Sequence, residues 1–263
     1  MKTITLNFIG KSSVPFHRTI EVSDALYEVI KRSQDGKKPG DEIFDLASSG
    51  DVNDLLKQVD KSFTPKVMRT ARCNTILIEN LKRQKVNEDS TELEKIEAIY
   101  KANFAIAKEL NHQKNIGKNQ KKNQQVAEEK VRIAEDKLKS LKKEVKQKLK
   151  ELSSKEEDFK VKYAAMPTML KEKLEKIEAD RAKLEKCIKD QKDRVSKAKF
   201  QADKTTETAD IALGTSLANY ADPRIVYSWC KDVDLDISKV YNKNLQEKFS
   251  WAATTPADYW RKL

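Results

Sequence analysis

Residues 164–168 read AAMPT, and Pro167 decides how the chain around it folds. On its C-terminal side Leu170, Leu174, Ile177, Arg181, Leu184, Ile188, Gln191, Val195, Ala198 and Ala202 follow at alternating steps of four and three. That spacing is a heptad seam. On its N-terminal side Val131, Ala134, Leu138, Leu141, Val145, Leu149 and Leu152 form a similar, less regular seam. A proline inside one continuous helix removes a backbone hydrogen bond and clashes with the preceding turn, so the chain reverses here. The pattern predicts two helices of about 40 residues, folded back as an antiparallel coiled coil on the order of 60 Å long at about 1.5 Å per residue. A free-standing coiled-coil dimer would use the same seam, and the central proline favours the hairpin within one chain.

Outside this arm the composition still bears its mark. Of 263 residues, 36% are charged and 38% hydrophobic, with a mean hydropathy of −0.76. One uniformly packed globule would be richer in apolar residues, so part of the length is solvated helix or disorder. The formal net charge of +11 favours a polyanionic partner, nucleic acid ahead of membrane. Cys73, Cys187 and Cys230 form no CxxC pair, which argues against a disulfide scaffold and for a reducing compartment. No signal peptide or membrane-length apolar run is visible. With only His17 and His112 available, the sequence implies no metal centre, and it shows no GxxxxGK[ST] for a nucleotide cofactor.

The N-terminal part begins with β structure. In TITLNFIG, Ile4, Leu6 and Phe8 alternate with polar residues, and Val14, Phe16, Ile20 and Val22 repeat the alternation after GKSS. This predicts a β-hairpin with Lys11 at or near its tip. Ser23 and Asp24 read as a helix start with Leu26, Val29 and Ile30 on one face, and DGKKPGDE ends that helix. From Glu42 to about Asn111 the pattern is helical, predicting a small helical domain packed on the hairpin. Its stripes are Leu55, Leu56 and Val59; Ile76, Leu77, Asn80 and Leu81; and Ile96, Ile99, Tyr100, Phe104, Ala107 and Leu110. After the arm come Trp229, Trp251 and Trp260, whose clustering predicts a packed C-terminal domain. The expected organisation is a β-hairpin with helices at 1–112, an antiparallel coiled coil at 113–206 and a C-terminal domain at 207–263. The fold class is mainly α with a small N-terminal β-hairpin.

An antiparallel arm returns the chain to where it left. Tyr220, in GTSLANYADPR (214–224), therefore comes back near the residues before Gln113, where His112, Arg69 and Lys11 are candidates to meet it. A tyrosine beside such cations suits phosphoryl transfer to a phenol: the phenolate attacks a phosphodiester, and the cations stabilise charge on the pentacoordinate transition state. Arginine grips two phosphate oxygens through its fork, and a lysine or another acid protonates the departing oxygen. Each residue also has a structural reading. A tyrosine after a helix commonly packs, His112 near a helix end complements the macrodipole, Arg69 suits a surface ion pair, and Lys11 suits a solvated turn.

The local sequences narrow these readings. IALGTSLANYADPRI (211–225), with WCK and KVYNKNLQEKFSWA after it, closely resembles the C-terminal domain of eukaryotic type IB DNA topoisomerases. KVMRT, ELNHQK and FIGKSS look like that family's other active-site segments in the same chain order, and the charged hairpin corresponds to its linker. The resemblance covers nearly the whole chain but only the later part of a full family member. It makes 1–112 a partial catalytic core, 113–206 a linker and 207–263 a tyrosine-bearing domain. It implies Tyr220 as the nucleophile of a 3′-phosphotyrosine, Arg69 and His112 on non-bridging phosphate oxygens, and Lys11 as minor-groove contact and general acid. Asn219 and Arg224 beside the tyrosine complete the expected DNA-contacting set. The resemblance also implies a nuclear protein acting on double-stranded DNA, with no membrane.

Three departures from the family accompany this. A second active-site arginine of the family precedes the lysine hairpin, and here Met1 lies almost on that hairpin, which implies an upstream core chain as partner. Leu217 stands where the family usually has lysine, and Ser12 where an acidic residue usually follows the hairpin lysine. Two other readings use the same residues. A tyrosine recombinase would share the cations and nucleophile, and a non-catalytic DNA-binding or coiled-coil protein would keep the tyrosine without the chemistry.

Overall fold

The computed structural model describes residues 2–10, 13 and 15–263. Strands β1 (Lys2–Ile9) and β2 (Pro15–Val22) form an antiparallel pair in which Ile4 faces Ile20 and Phe8 faces Phe16, the last two rings 4.8 Å apart. Helix α1 (Asp24–Gln34) starts at Ser23, whose hydroxyl accepts from the Leu26 amide. Helix α2 (Ser49–Val59) opens on a Ser48–Asp51 capping box. Thr64 caps α3 (Pro65–Gln84) with proline in its first turn, and a Thr91–Glu94 capping box opens α4 (Glu92–Glu109). The arm follows as α5 (Gln120–Lys162) and α6 (Pro167–Glu207), and the chain ends with α7 (Leu213–Asn219), α8 (Pro223–Asp232), α9 (Lys243–Lys248) and short 3₁₀ turns. The protein is mainly α with a small β-hairpin. It divides into two compact units, Met1–Asn115 with Asp210–Leu263, and Ile116–Ala209.

The first unit owes its core to three helices and the C-terminal turns. Cys73, Leu77 and Leu81 of α3 meet Ala98, Ala102 and Ile106 of α4 and Ile225, Val226 and Trp229 of α8, with Tyr241 and Trp260 closing the cluster. Small alanines on α4 let the helices approach, and the large rings fill the gaps. Of the three tryptophans expected to pack, Trp229 and Trp260 are buried, and Trp251 stays 60% exposed.

The hairpin, α1 and α2 differ from the expectation of a packed layer. Neither helix buries a residue, and Leu26, Val29, Leu55 and Val59 are exposed. Their stripes are amphipathic, but among the described residues nothing packs over them closely enough to exclude water. The helical pattern read from Glu42 also begins later, at Ser49. Before it the Lys37 ammonium holds the chain in turns, donating to the Ile43 carbonyl at 2.9 Å and pairing with Asp45 at 2.7 Å.

The second unit is the antiparallel coiled coil. Every seam position named above is buried or half-buried, with Val145, Ile177, Gln191 and Val195 the most enclosed. The two polar seam residues bridge the helices: Gln191 donates to the Ala134 carbonyl at 3.0 Å, and Arg181 pairs with Glu156 at 2.6 Å. Polar groups at seam positions fix register, because any slip strands them without partners. Pro167 is the first residue of α6, where its missing N–H is not needed.

Candidate active site

The first unit contains a cleft of about 770 Å³ lined by Arg69, His112 and Tyr220, together with Arg18, Arg72 and Glu109. Its walls come from three separate segments, each fixed by local physics. On α3 the buried stripe Cys73, Leu77, Leu81 steps by four residues, and Arg69 is one step further toward the N-terminus. The same rotation that buries the stripe thus carries Arg69 past the edge of the core, where it is exposed at the cleft.

His112 is set by the way α4 stops. Asn111 takes the left-handed conformation at φ 52°, its amide donates to the Lys108 carbonyl at 3.1 Å, and the His112 amide donates to the Ala107 carbonyl at 2.9 Å. This is a Schellman motif with asparagine in the left-handed position. On the other side, the His112 carbonyl accepts from the Ala212 amide at 2.8 Å, and Gln113 bridges Ile211. Both backbone polar groups of His112 are thereby fixed, and the half-buried ring lies 5.4 Å from the Tyr220 ring, centroid to centroid, tilted by 47°.

Tyr220 sits in the break between α7 and α8. Its amide donates to the Ser216 carbonyl at 3.0 Å, ending α7, and Asp222 with Pro223 begins α8 two residues later. Three side chains brace this break. The Ser216 hydroxyl donates to Asn103 Oδ1 at 2.9 Å, while Asn103 Nδ2 donates to the Leu213 carbonyl at 3.2 Å. Asn74, on α3, accepts from the Asp222 amide at 2.8 Å. Sequence reasoning missed Asn74, Asn103 and Ser216; the signal was there as asparagines set into otherwise apolar helix faces. Leu217, where a lysine was anticipated from the family, packs against the core cluster together with Tyr220. Tyr227 and Tyr241 offer no rival phenol, because burial pushes both above the ordinary tyrosine range.

Of the other candidate residues, Lys11 lies outside the described residues, although its neighbour Gly10 lines the cleft. Asn219 is exposed and turns its amide back to the Thr215 carbonyl at 3.3 Å. Arg224 is engaged elsewhere: it pairs with Asp222 at 2.6 Å and lies 5.4 Å from the Tyr259 ring centre. The hydrogen bonds it donates to the Asp222 carboxylate hold its guanidinium pKa above the ordinary arginine range. Neither residue lines the cleft. Sequence reasoning also passed over Arg18, Arg72 and Glu109. Arg18 pairs with Glu109 at 2.9 Å and Arg72 approaches the same carboxylate at 3.8 Å. Three arginines against one carboxylate give the cleft an excess of positive charge suited to an anion. Among the described residues no group of three or more His, Cys, Asp or Glu is placed to hold a metal, and no helix is long and apolar enough to cross a membrane.

A family profile described as eukaryotic DNA topoisomerase I, catalytic core, matches residues 1–145, more than half of the chain. The chain belongs to the eukaryotic DNA topoisomerase I family. A second profile, the C-terminal topoisomerase domain, matches residues 192–261 and so includes Tyr220. Among relatives of this topoisomerase family, DNA topoisomerase 1 of Caenorhabditis elegans is 32% identical over 249 residues, 95% of this chain and 27% of the relative. DNA topoisomerase 1 alpha of Arabidopsis thaliana is 31% identical over 256 residues, 97% of this chain and 26% of the relative. The human DNA topoisomerase 1 is 29% identical over 249 residues, 95% of this chain and 30% of the relative. The chain thus spans roughly a quarter to a third of the length of these topoisomerases.

Proposed function

We propose that this chain carries the tyrosine end of a type IB DNA topoisomerase site and relaxes supercoiled DNA through transient cleavage of one strand. Tyr220 Oη gives up its proton to solvent water and attacks the phosphorus of a phosphodiester. The Oη–P bond forms as the bond from phosphorus to the 5′ oxygen breaks, leaving a 3′-phosphotyrosine. The departing 5′ oxygen takes a proton from Lys11 and becomes a hydroxyl. Arg69 and His112 donate to the two non-bridging oxygens, whose negative charge grows in the transition state. The intact strand allows the free end to rotate, and attack by the 5′ hydroxyl reverses each step. The phosphoester energy stays in the phosphotyrosine, so rejoining draws on neither ATP nor a metal ion.

The single observation that supports this reading is the shared cleft of Tyr220, His112 and Arg69, residues distant in sequence and chemically matched to one phosphodiester. The reading includes double-stranded DNA as partner, reached through the basic surface of the chain by phosphate contacts. It also includes an upstream topoisomerase core supplying a second active-site arginine and a cap over the duplex, in a nuclear setting.

The test is a duplex carrying a nick that traps the cleaved state. Incubated with the chain, with or without an upstream core fragment, and denatured in SDS, it is expected to yield a shifted covalent band that Tyr220→Phe abolishes. If no adduct forms in either mixture while salt-sensitive DNA binding persists unchanged in Tyr220→Phe, the non-catalytic reading replaces this one.

A further inference from the structure

We infer that Arg72 is a further DNA-phosphate ligand of the cleft beside Arg69 and His112, held ready by Glu109, whose carboxylate occupies the ground a phosphate takes when duplex DNA arrives. The inference rests on the phosphodiester chemistry proposed above and adds residues to it. Arg72 lies three positions after Arg69 on α3, so both project from one face with Cβ atoms about 5–6 Å apart. Both line the same cleft as Tyr220.

The two arginines around Glu109 are held unequally. Arg18, on β2, donates through Nη2 to Glu109 Oε2 at 2.9 Å and through Nη1 to the Glu109 carbonyl at 3.4 Å, so it is bound to side chain and backbone together. Arg72 meets the other carboxylate oxygen only through Nε, at 3.8 Å, beyond hydrogen-bond length. Its side chain is 59% exposed, against 34% for Glu109. An ion pair this long and this open holds its partner weakly. A guanidinium that sits loosely beside one oxyanion exchanges readily for a phosphate, which its fork grips through two donors. Arg18 is the positioning residue: it ties Glu109 to the hairpin and so sets where Arg72 waits.

The geometry separates this from a purely structural ion-pair cluster. A structural cluster predicts that losing Glu109 weakens the protein and its DNA binding. A phosphate placeholder predicts the reverse for binding, because removing the carboxylate removes a competitor for Arg72.

The experiment is a fluorescence-anisotropy titration of a labelled, uncleaved duplex with the full chain in the Tyr220→Phe background, repeated across salt concentrations. Arg72→Ala is expected to reduce the slope of log K against log salt by about 0.9, the value of one phosphate contact. Lys239→Ala, a surface cation paired with Glu92 and absent from the cleft lining, is expected to leave the slope as it is. Glu109→Gln is expected to tighten binding several-fold, and that gain is expected to vanish when Arg72 is already alanine. Arg72→Lys is expected to recover the slope without the full affinity. If the chain binds duplex and forms the covalent adduct, but Arg72→Ala leaves the slope unchanged or Glu109→Gln tightens binding equally in both backgrounds, the inference falls and the topoisomerase reading stands. If no duplex binding is seen with the parent chain, both fall together. Equal melting temperatures for the variants establish that the readout is binding and not unfolding.

Discussion

The two arm helices, 43 and 41 residues long, bury only Val145, Ile177, Gln191 and Val195, whereas α8 buries seven of its ten residues. Both regions are helical, but the arm is one seam thick. Each of its seam residues has a single partner helix, and solvent surrounds the rest. The tyrosine-bearing end is wrapped on several sides by α3, α4 and the C-terminal turns. A seam can open locally without disturbing its neighbours, while a multilayered core opens as a unit or not at all. Rigidity is therefore concentrated where Tyr220, His112 and Arg69 meet, and length is spent where compliance costs little.

Removing one large side chain from each region tests this contrast most severely. Trp229→Ala, at a position 1% exposed, is expected to cost about 3–5 kcal/mol and to melt the first unit as a whole. Val145→Ala is expected to cost about 1–2 kcal/mol and to raise amide exchange in the arm alone. Urea denaturation followed by hydrogen exchange separates the two, and arm-wide loss of protection spreading into α3 and α4 would erase the distinction.

A smaller effect sharpens the contrast at the nucleophile. Asn103→Ala removes one acceptor of the buried Ser216 hydroxyl and one donor to the Leu213 carbonyl, which stay paired with each other at 2.9 Å, at an expected cost of about 0.5–1.5 kcal/mol. Because this network braces the segment leading to Tyr220, covalent adduct formation is expected to slow while duplex affinity holds. Parallel losses in both would mean that Asn103 supports the fold and not the tyrosine.

The smallest effect belongs to the arm. Hydrogen bonds from Lys160 and Arg181 hold the Glu156 carboxyl below the usual carboxylate range. A depressed folded-state pKa contributes stability above the unfolded value, about 4.3, and that contribution is lost as pH falls through the folded value. Acidification below about pH 4.3 is thus expected to loosen the arm slightly near Arg181, and Glu156→Gln is expected to remove that step. Circular dichroism melts of the two proteins across this range measure it, and identical acid profiles would count against the bridge.

The fold was legible wherever burial follows a period. The coiled-coil seam could be read residue by residue because a heptad repeat has one geometric meaning, and the stripes of α3 and α4 are long enough to define a face. The stripes of α1 and α2 were equally periodic, yet Leu55 and Val59 are exposed, since period reports which face is apolar and not what covers it. At the cleft, the reversal at Pro167 was enough to anticipate that the segments of His112 and Tyr220 come together. The bracing by Asn74, Asn103 and Ser216 was half legible: asparagines on apolar helix faces mark a need for partners, but hydrogen bonds between residues more than a hundred positions apart leave no local pattern that names them. The Arg18–Glu109–Arg72 cluster was hidden because its members lie on a strand and two helices, with no shared period to link them.

The bridge between Gln113 and Ile211 also makes the arm's length a nearly free variable. These two residues, with the Lys114 amide donating to the Asp210 carbonyl at 2.7 Å, close the loop formed by everything between them. The entropy of closing a loop grows only with the logarithm of its length, so doubling the insertion adds about 0.6 kcal/mol. Whole heptads can be spliced out of, or into, the pair of helices while His112 and Tyr220 keep their spacing, provided both strands change by the same number of turns. Selection on this chain is left free to set the arm's reach by whatever it touches, with the chemistry at its root insulated from the change.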